Sequence, residues 1–278
     1  MSTQNALLTI LVEKIKNDTL VLPTLPAVAL KVRKAADDPD INLHQMGDVI
    51  GLDPSLSARM IKIANSAYMG RAVKVTSVSQ AVTRIGLRQI KNIATALAME
   101  QLFVSKNELV GDYMKREWNN TVDVVANAMA ALQMYTARTK NREMTIDTMT
   151  LTALVHNIGV LPILTEAERH VEVFASPTFL DDAIDKLAPR IGGSIMQSWG
   201  FGESFVTVAE RWHDLAYLPE KLGYVDFVRV GAALSGQINR QKDAILNLAV
   251  QRGVVEDVNT LLTDEFAEMR AAAKQIFA

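Results

Sequence analysis

The strongest constraint in this chain is a stripe of large side chains between Asp112 and Thr139. Trp118, Val122, Val125, Met129, Leu132 and Thr136 follow one another at spacings of three and four. At 100° per residue all six fall within about 80° of one another, which is one face of an α-helix and no face of a strand. A helix of that length needs neighbours to cover its apolar side, and the rest of the sequence repeats the helical period while β-branched alternation is scarce. The expected fold class is all-α. Asn120, Asp123 and Asn127 lie opposite the stripe and read as a solvated face.

Start and stop signals divide the first half into short helices. Asn42 is placed to cap a helix running through Leu52. Asp53-Pro54 offers an N-cap followed by a first-turn proline, whose missing N–H is harmless there. Ser77 can cap "VSQAVTRIGL", Gly86 interrupts it, and "LRQIKNIATALAMEQLF" continues with Leu87, Ile90, Ala94, Leu97 and Leu102 on roughly one face. Further helices are expected at 146–157, 177–187, 191–199, 203–212, 225–238 and 266–277. The polar "VSKNELVGD" separates two regions, an N-terminal helical lobe over 1–110 and a second over 111–278 that includes a C-terminal helical tail. No repeat of solenoid length is present.

Composition narrows the function classes. With 49% apolar and 22% charged residues the chain can build a large core. No cysteine is present, which excludes disulfides, thiolate zinc sites and a cysteine nucleophile, so His, Asp and Glu are the strong metal ligands left. Apolar runs are broken within about a dozen residues, short of the ~20 that a membrane span needs, and the start lacks a signal-peptide pattern. A cytoplasmic protein without a membrane partner is expected.

Charge is divided unevenly, with 13 Lys+Arg against 9 Asp+Glu in residues 1–110 and 16 against 22 in the remainder. No acidic residue occurs between Pro54 and Met99, a window that holds Arg71, Lys74, Arg84, Arg88 and Lys91. These five form a candidate surface for an anion or a partner, or else a solubilising face, or a dock for the acidic second half. Nucleic acid is disfavoured, because the window holds a single aromatic, Tyr68, and the isoelectric point is about 6.1. No glycine-rich phosphate loop or nucleophile elbow occurs. Gly192-Gly193 reads as a close helix contact, and His44 and His170 as exposed.

The stretch Leu22–Phe103 carries, in order, "LPTLP", "DDPD", "LDP", "IANSAYMG", "SVSQAV" and "IGLRQI". It resembles the HDOD family, the HD-related output domains of bacterial signalling proteins, and the resemblance runs more weakly to about His213. It implies two packed helical lobes, the second a degenerate HD-like fold. Active members of the wider HD superfamily hold divalent cations through His, an adjacent His-Asp and a distal Asp. Carried onto this sequence, the first His position is Asn120 in "WNNT", and the His-Asp is His156-Asn157, followed by Gly159-Val160. A further His falls near Ala188, the paired His-His on Trp212-His213, and the late Ala-Asp near Ala232-Ala233. Only His156 and His213 keep a ligand side chain, with Glu210 and Asp214 flanking the latter.

Two histidines without a carboxylate are a poor divalent site, since Asn157 brings no negative charge. The expectation is therefore a remnant at Asn120, His156, Asn157 and His213, with no catalytic residue, no cofactor, and His156 and His213 as weak metal candidates. The resemblance then implies a non-enzymatic signal-transduction output or scaffold domain. Its partner would be another signalling protein or a small anionic ligand such as a nucleotide. The alternative is a metal-dependent phosphohydrolase working with substituted ligands at His156, Asn157 and His213.

Overall fold

The computed structural model describes residues 6–66, 69, 73–170 and 177–277, the side chains of 6–8 and 177–179 excepted. No described residue lies in a strand. The first helices are α1 (Ala6–Lys16), α2 (Ala27–Ala36), α3 (Leu43–Gly51), α4 (Pro54–Ala64), α5 (Val78–Ile85) and α6 (Leu87–Ala98). Their boundaries follow from local hydrogen bonds. Asn42 and Gln45 form a reciprocal capping box, each accepting the other's backbone N–H at 3.0 Å. Asp53 Oδ1 accepts the amide of Leu56 at 2.8 Å, and Ser77 Oγ that of Gln80 at 3.2 Å. Gly86 takes φ 85°, a conformation only glycine adopts without strain, and so turns α5 sharply into α6.

The second group comprises α7 (Glu108–Thr139), α8 (Ile146–Val155), α9 (Val160–Arg169), α10 (Pro177–Ser198), α11 (Glu203–Arg211), α12 (Tyr224–Ser235), α13 (Lys242–Gln251) and α14 (Asp264–Lys274). Much of "VSKNELVGD" is the first turn of α7, capped by Asn107 through the amide of Val110 at 3.1 Å. The segments expected at 177–187 and 191–199 are one helix, α10, with Pro189 inside it. Residues 146–169, expected to be helical only to 157, form two helices joined by the turn His156–Gly159. By length and composition this segment could cross a membrane, yet 89% of its most apolar window is buried in the protein, so its apolarity belongs to the core.

α7 is the central post. Its predicted stripe is buried apart from half-buried Thr136, but so are Val124, Ala126, Ala128, Ala130 and Ala131, because α8, α12 and α14 pack around it. Asn127, expected at a solvated face, is 2% exposed for that reason. Close approach depends on small residues. A Cβ on Gly231 of α12 would come within 2.5 Å of the Val124 carbonyl oxygen. Asp123 does lie at the surface, paired with Lys274 of α14. The tail after Gly223 thus covers the second lobe, with α12 and α14 both against α7. Buried Ile276 and Phe277 follow α14, and Phe277 stands edge-on to Trp118 at 6.3 Å.

The two regions share contacts at several points. α6 packs on α8, and Asn92 Nδ2 donates to Asp147 Oδ2 at 2.8 Å. Lys14 of α1 reaches Glu166 of α9 at 2.5 Å. Burial opposes ionisation of Glu166, but Lys14, Arg169 and His170 outweigh it and hold its pKa below the usual value. Trp199 Nε1 donates to the Pro23 carbonyl at 2.9 Å.

Candidate functional site

His156 sits where α8 ends and is 1% exposed. Its Nδ1 lies 2.6 Å from the Ala153 carbonyl and its Nε2 2.9 Å from the side-chain amide of Gln237. The carbonyl can only accept, so Nδ1 carries the hydrogen. Burial pushes the imidazole pKa down, with the bonds to Gln237 and Ala153 opposing, and the ring is neutral. The structure sets Gln237 Oε1 against Nε2, whereas a neutral ring offers a lone pair there, so the amide meets it with an N–H only after a half-turn about its last side-chain bond. That lone pair is the one a metal would need. Trp212 closes the other side, its ring edge-on to the imidazole at 4.8 Å.

Gln237 reaches this position through the end of α12. Gly236 adopts φ 84° and its amide bonds back to the Ala232 carbonyl, a left-handed glycine cap that swings the next residue over the helix. The helix expected to run to 238 stops at Ser235 for this reason.

Asn157 is likewise engaged. Its Nδ2 donates to Glu117 Oε2 at 3.3 Å, and Glu117, 8% exposed on α7, has Arg116 at 3.7 Å. Burial raises the Glu117 pKa, with Asp181 adding to the rise and Arg116 and Asn157 opposing it. At this position a carboxylate in place of the amide would repel Glu117, so the asparagine is the residue that its neighbour requires. Glu117 escaped notice in the sequence because the helical period sets it about 100° away from Trp118, off the stripe.

Asn120 is half-buried and makes no side-chain hydrogen bond among the described residues. His213 is half-buried, its ring 5.8 Å from that of Trp212, and its Nδ1 is buried without a hydrogen-bond partner among the described residues. Burial lowers the pKa of His213, against the pull of Asp214 and Asp185. The structure therefore brings both His156 and His213 against one indole, that of Trp212. Asn157 pairs with a glutamate, and among the described residues no three His, Asp or Glu side chains are grouped to hold a metal. The donor set does not fit the divalent site of the HD superfamily.

Of the proposed basic surface, Arg71 lies outside the described residues. Arg84 is spent internally: Nη1 donates to the Ala64 carbonyl at 2.9 Å and Nη2 to that of Val73. Together with Asn65, which brackets Val75 N and O at 2.8 and 2.7 Å, it ties down both ends of the loop after α4. Lys91 pairs with Asp37. Lys74 and Arg88 are exposed. Gly192 does serve close packing, its Cα facing Ala209 and Gly159.

A model of the HDOD domain matches residues 22–215. The chain belongs to the HDOD family. A protein of Shewanella amazonensis SB2B, provisionally named a metal-dependent phosphohydrolase, is 41% identical and superposes with a TM-score of 0.95, each chain covering 100% of the other. An HDOD domain protein of unknown function from Geobacter sulfurreducens superposes with a TM-score of 0.62 at 18% identity, over 97% of this chain and 98% of its own. An uncharacterized protein of Treponema pallidum (strain Nichols) is 26% identical over 212 residues, which are 72% of this chain. The HDOD chain spans only 39% of the length of that relative.

Proposed function

We propose that this HDOD chain is a non-enzymatic output or scaffold domain of signal transduction, acting by binding another signalling protein or a small anionic ligand. The observation that carries the reading is the side chain of Gln237 standing 2.9 Å from His156 Nε2, so that the position a metal would take is filled by the protein itself. Asn157, turned to Glu117, supports it from the adjacent position. The name of the Shewanella relative favours a phosphohydrolase as the second reading, in which His156, Asn157 and His213 would hold the metal. Against it stands the donor set: an activated water needs about three protein ligands and an open coordination position.

Incubation with Mn²⁺ and a panel of phosphomonoesters and phosphodiesters tests the choice. The expected result is no product above that formed by the His156→Ala/His213→Ala double variant. Metal-dependent turnover that this variant loses would establish the hydrolase instead.

A further inference from the structure

α10 and the turn after α11 enclose an open cleft of about 680 Å³, which shares only His213 with the remnant site. Its walls carry Lys186 and Arg190, one helical turn apart on α10, and Arg211 at the end of α11, against the carboxylates of Glu210 and Asp214. One of these carboxylates is already committed, in part to Arg211 itself. Asp214 accepts from Arg211 Nη1 at 3.3 Å and from the Ala216 amide at 3.0 Å. Glu210 lies flat against α10, so close that a Cβ on Gly193 would come within 2.1 Å of its Oε1. Lys186 and Arg190 are exposed, and no ion pair holds either among the described residues.

Behind this wall lies Arg229, 1% exposed. Its Nε and Nη2 donate to the carbonyls of Arg211, Trp212, Asp214 and Tyr217 and so fix the shape of the turn. Arg229 Nη1 and His213 Nδ1 are buried and have no hydrogen-bond partner among the described residues. Buried polar atoms are satisfied in the great majority of cases, so two orphans beside one cleft call for an explanation. Asp185, exposed on α10, is the further carboxylate acting on His213, and it does not line the cleft. Three cations, Lys186, Arg190 and Arg211, thus line the cleft against two carboxylates, Glu210 and Asp214.

We propose that this cleft binds a phosphorylated small molecule, its phosphoryl oxygens taken by Lys186, Arg190 and Arg211. Guanidinium forks match phosphate oxygens in pairs, and an ammonium adds a point charge beside them. The volume is that of a site for a ligand of nucleotide size, and Pro189 and Leu215 supply apolar wall for the part that carries no charge. The inference rests on the binding reading above and adds its site and ligand class.

Calorimetric titration of the full chain with inorganic pyrophosphate, at ionic strength held constant with sodium chloride, tests it. Saturable one-to-one binding is expected. Lys186→Glu with Arg190→Glu should weaken it about tenfold or more, because two attractive charges become repulsive at short range. Both residues are exposed, so the double variant should keep the wild-type melting curve. Lys74→Glu with Arg88→Glu, far along the sequence on the first lobe, should change the affinity by less than about twofold. Absence of saturable binding with pyrophosphate intact, or binding indifferent to the α10 reversals, would overturn the site alone. Release of orthophosphate that needs His156 would leave the site standing and overturn the non-enzymatic reading.

Discussion

Arg229→Met is expected to lower the stability of the folded chain by about 3–5 kcal/mol, the largest effect foreseen for a residue outside the apolar core. Four carbonyl oxygens of the turn 211–217 converge on one guanidinium. A methionine fills the volume but leaves the Trp212 and Tyr217 carbonyls without that donor, while those of Arg211 and Asp214 keep the backbone amides of Asp214 and Tyr217. Burial pushes the Arg229 pKa down, with Asp226 and Asp214 opposing; Asp226 itself is held by Arg252 at 2.7 Å. Arg229→Lys should recover only part of the loss, since an ammonium cannot span the arc that the planar fork covers. A thermal midpoint roughly 10 °C below wild type is the corresponding readout for the methionine variant. A midpoint unchanged within error would mean that the turn is held by something else.

Gly159→Ala should be nearly as damaging, about 3 kcal/mol, for a reason that involves no backbone torsion. Gly159 has φ −64°, which alanine accepts, but a Cβ there would meet the Ala188 carbonyl oxygen at 1.9 Å and the Gly192 nitrogen at 2.7 Å. Both obstacles are backbone, so α9 and α10 must move apart and reopen the apolar contacts around them. Gly86 makes the opposite case, with φ 85° and open space around its Cα, so its replacement by alanine should cost about 1–2 kcal/mol through torsion alone. If urea unfolding ranks Gly86→Ala above Gly159→Ala, the close crossing of α9 and α10 is not what holds that corner.

What could be read in the sequence was whatever depends on neighbours within a few residues. Asn42, Asp53, Ser77 and Gly86 act through bonds and torsions confined to one turn, and each does in the structure what its position implied. The α7 stripe was equally legible, because helical period is local. That α7 is also covered on its other faces was not, since it depends on α12 and α14 returning from far along the chain, and the alanines that allow it carry no pattern of their own. Asn127 was misplaced for this reason.

The site shows the same division. His156, Asn157 and His213 could be located by resemblance, whereas Gln237 meets His156 across 81 positions and Glu117 meets Asn157 across 40. Neither separation leaves a periodic trace. Gly236 was the nearest available signal, as a glycine closing a helix announces that the next residue turns back. Charge was the least informative feature. Within the basic window Arg84 is a structural tie and Lys91 half of an ion pair, roles that a count of positive residues cannot distinguish from a binding surface.

Metal occupancy tests the central claim most directly. Equilibrium dialysis of the intact chain against Mn²⁺, beside Gln237→Ala and His156→Ala, measures whether His156 Nε2 is free to coordinate. The account predicts no saturable binding in the wild-type chain at concentrations that fill a three-ligand site, because Gln237 fills the position beside His156 Nε2 and, among the described residues, no three His, Asp or Glu side chains are grouped to hold a metal. One equivalent of metal retained by the wild-type chain and lost in His156→Ala would contradict it, and would make the remnant a working centre.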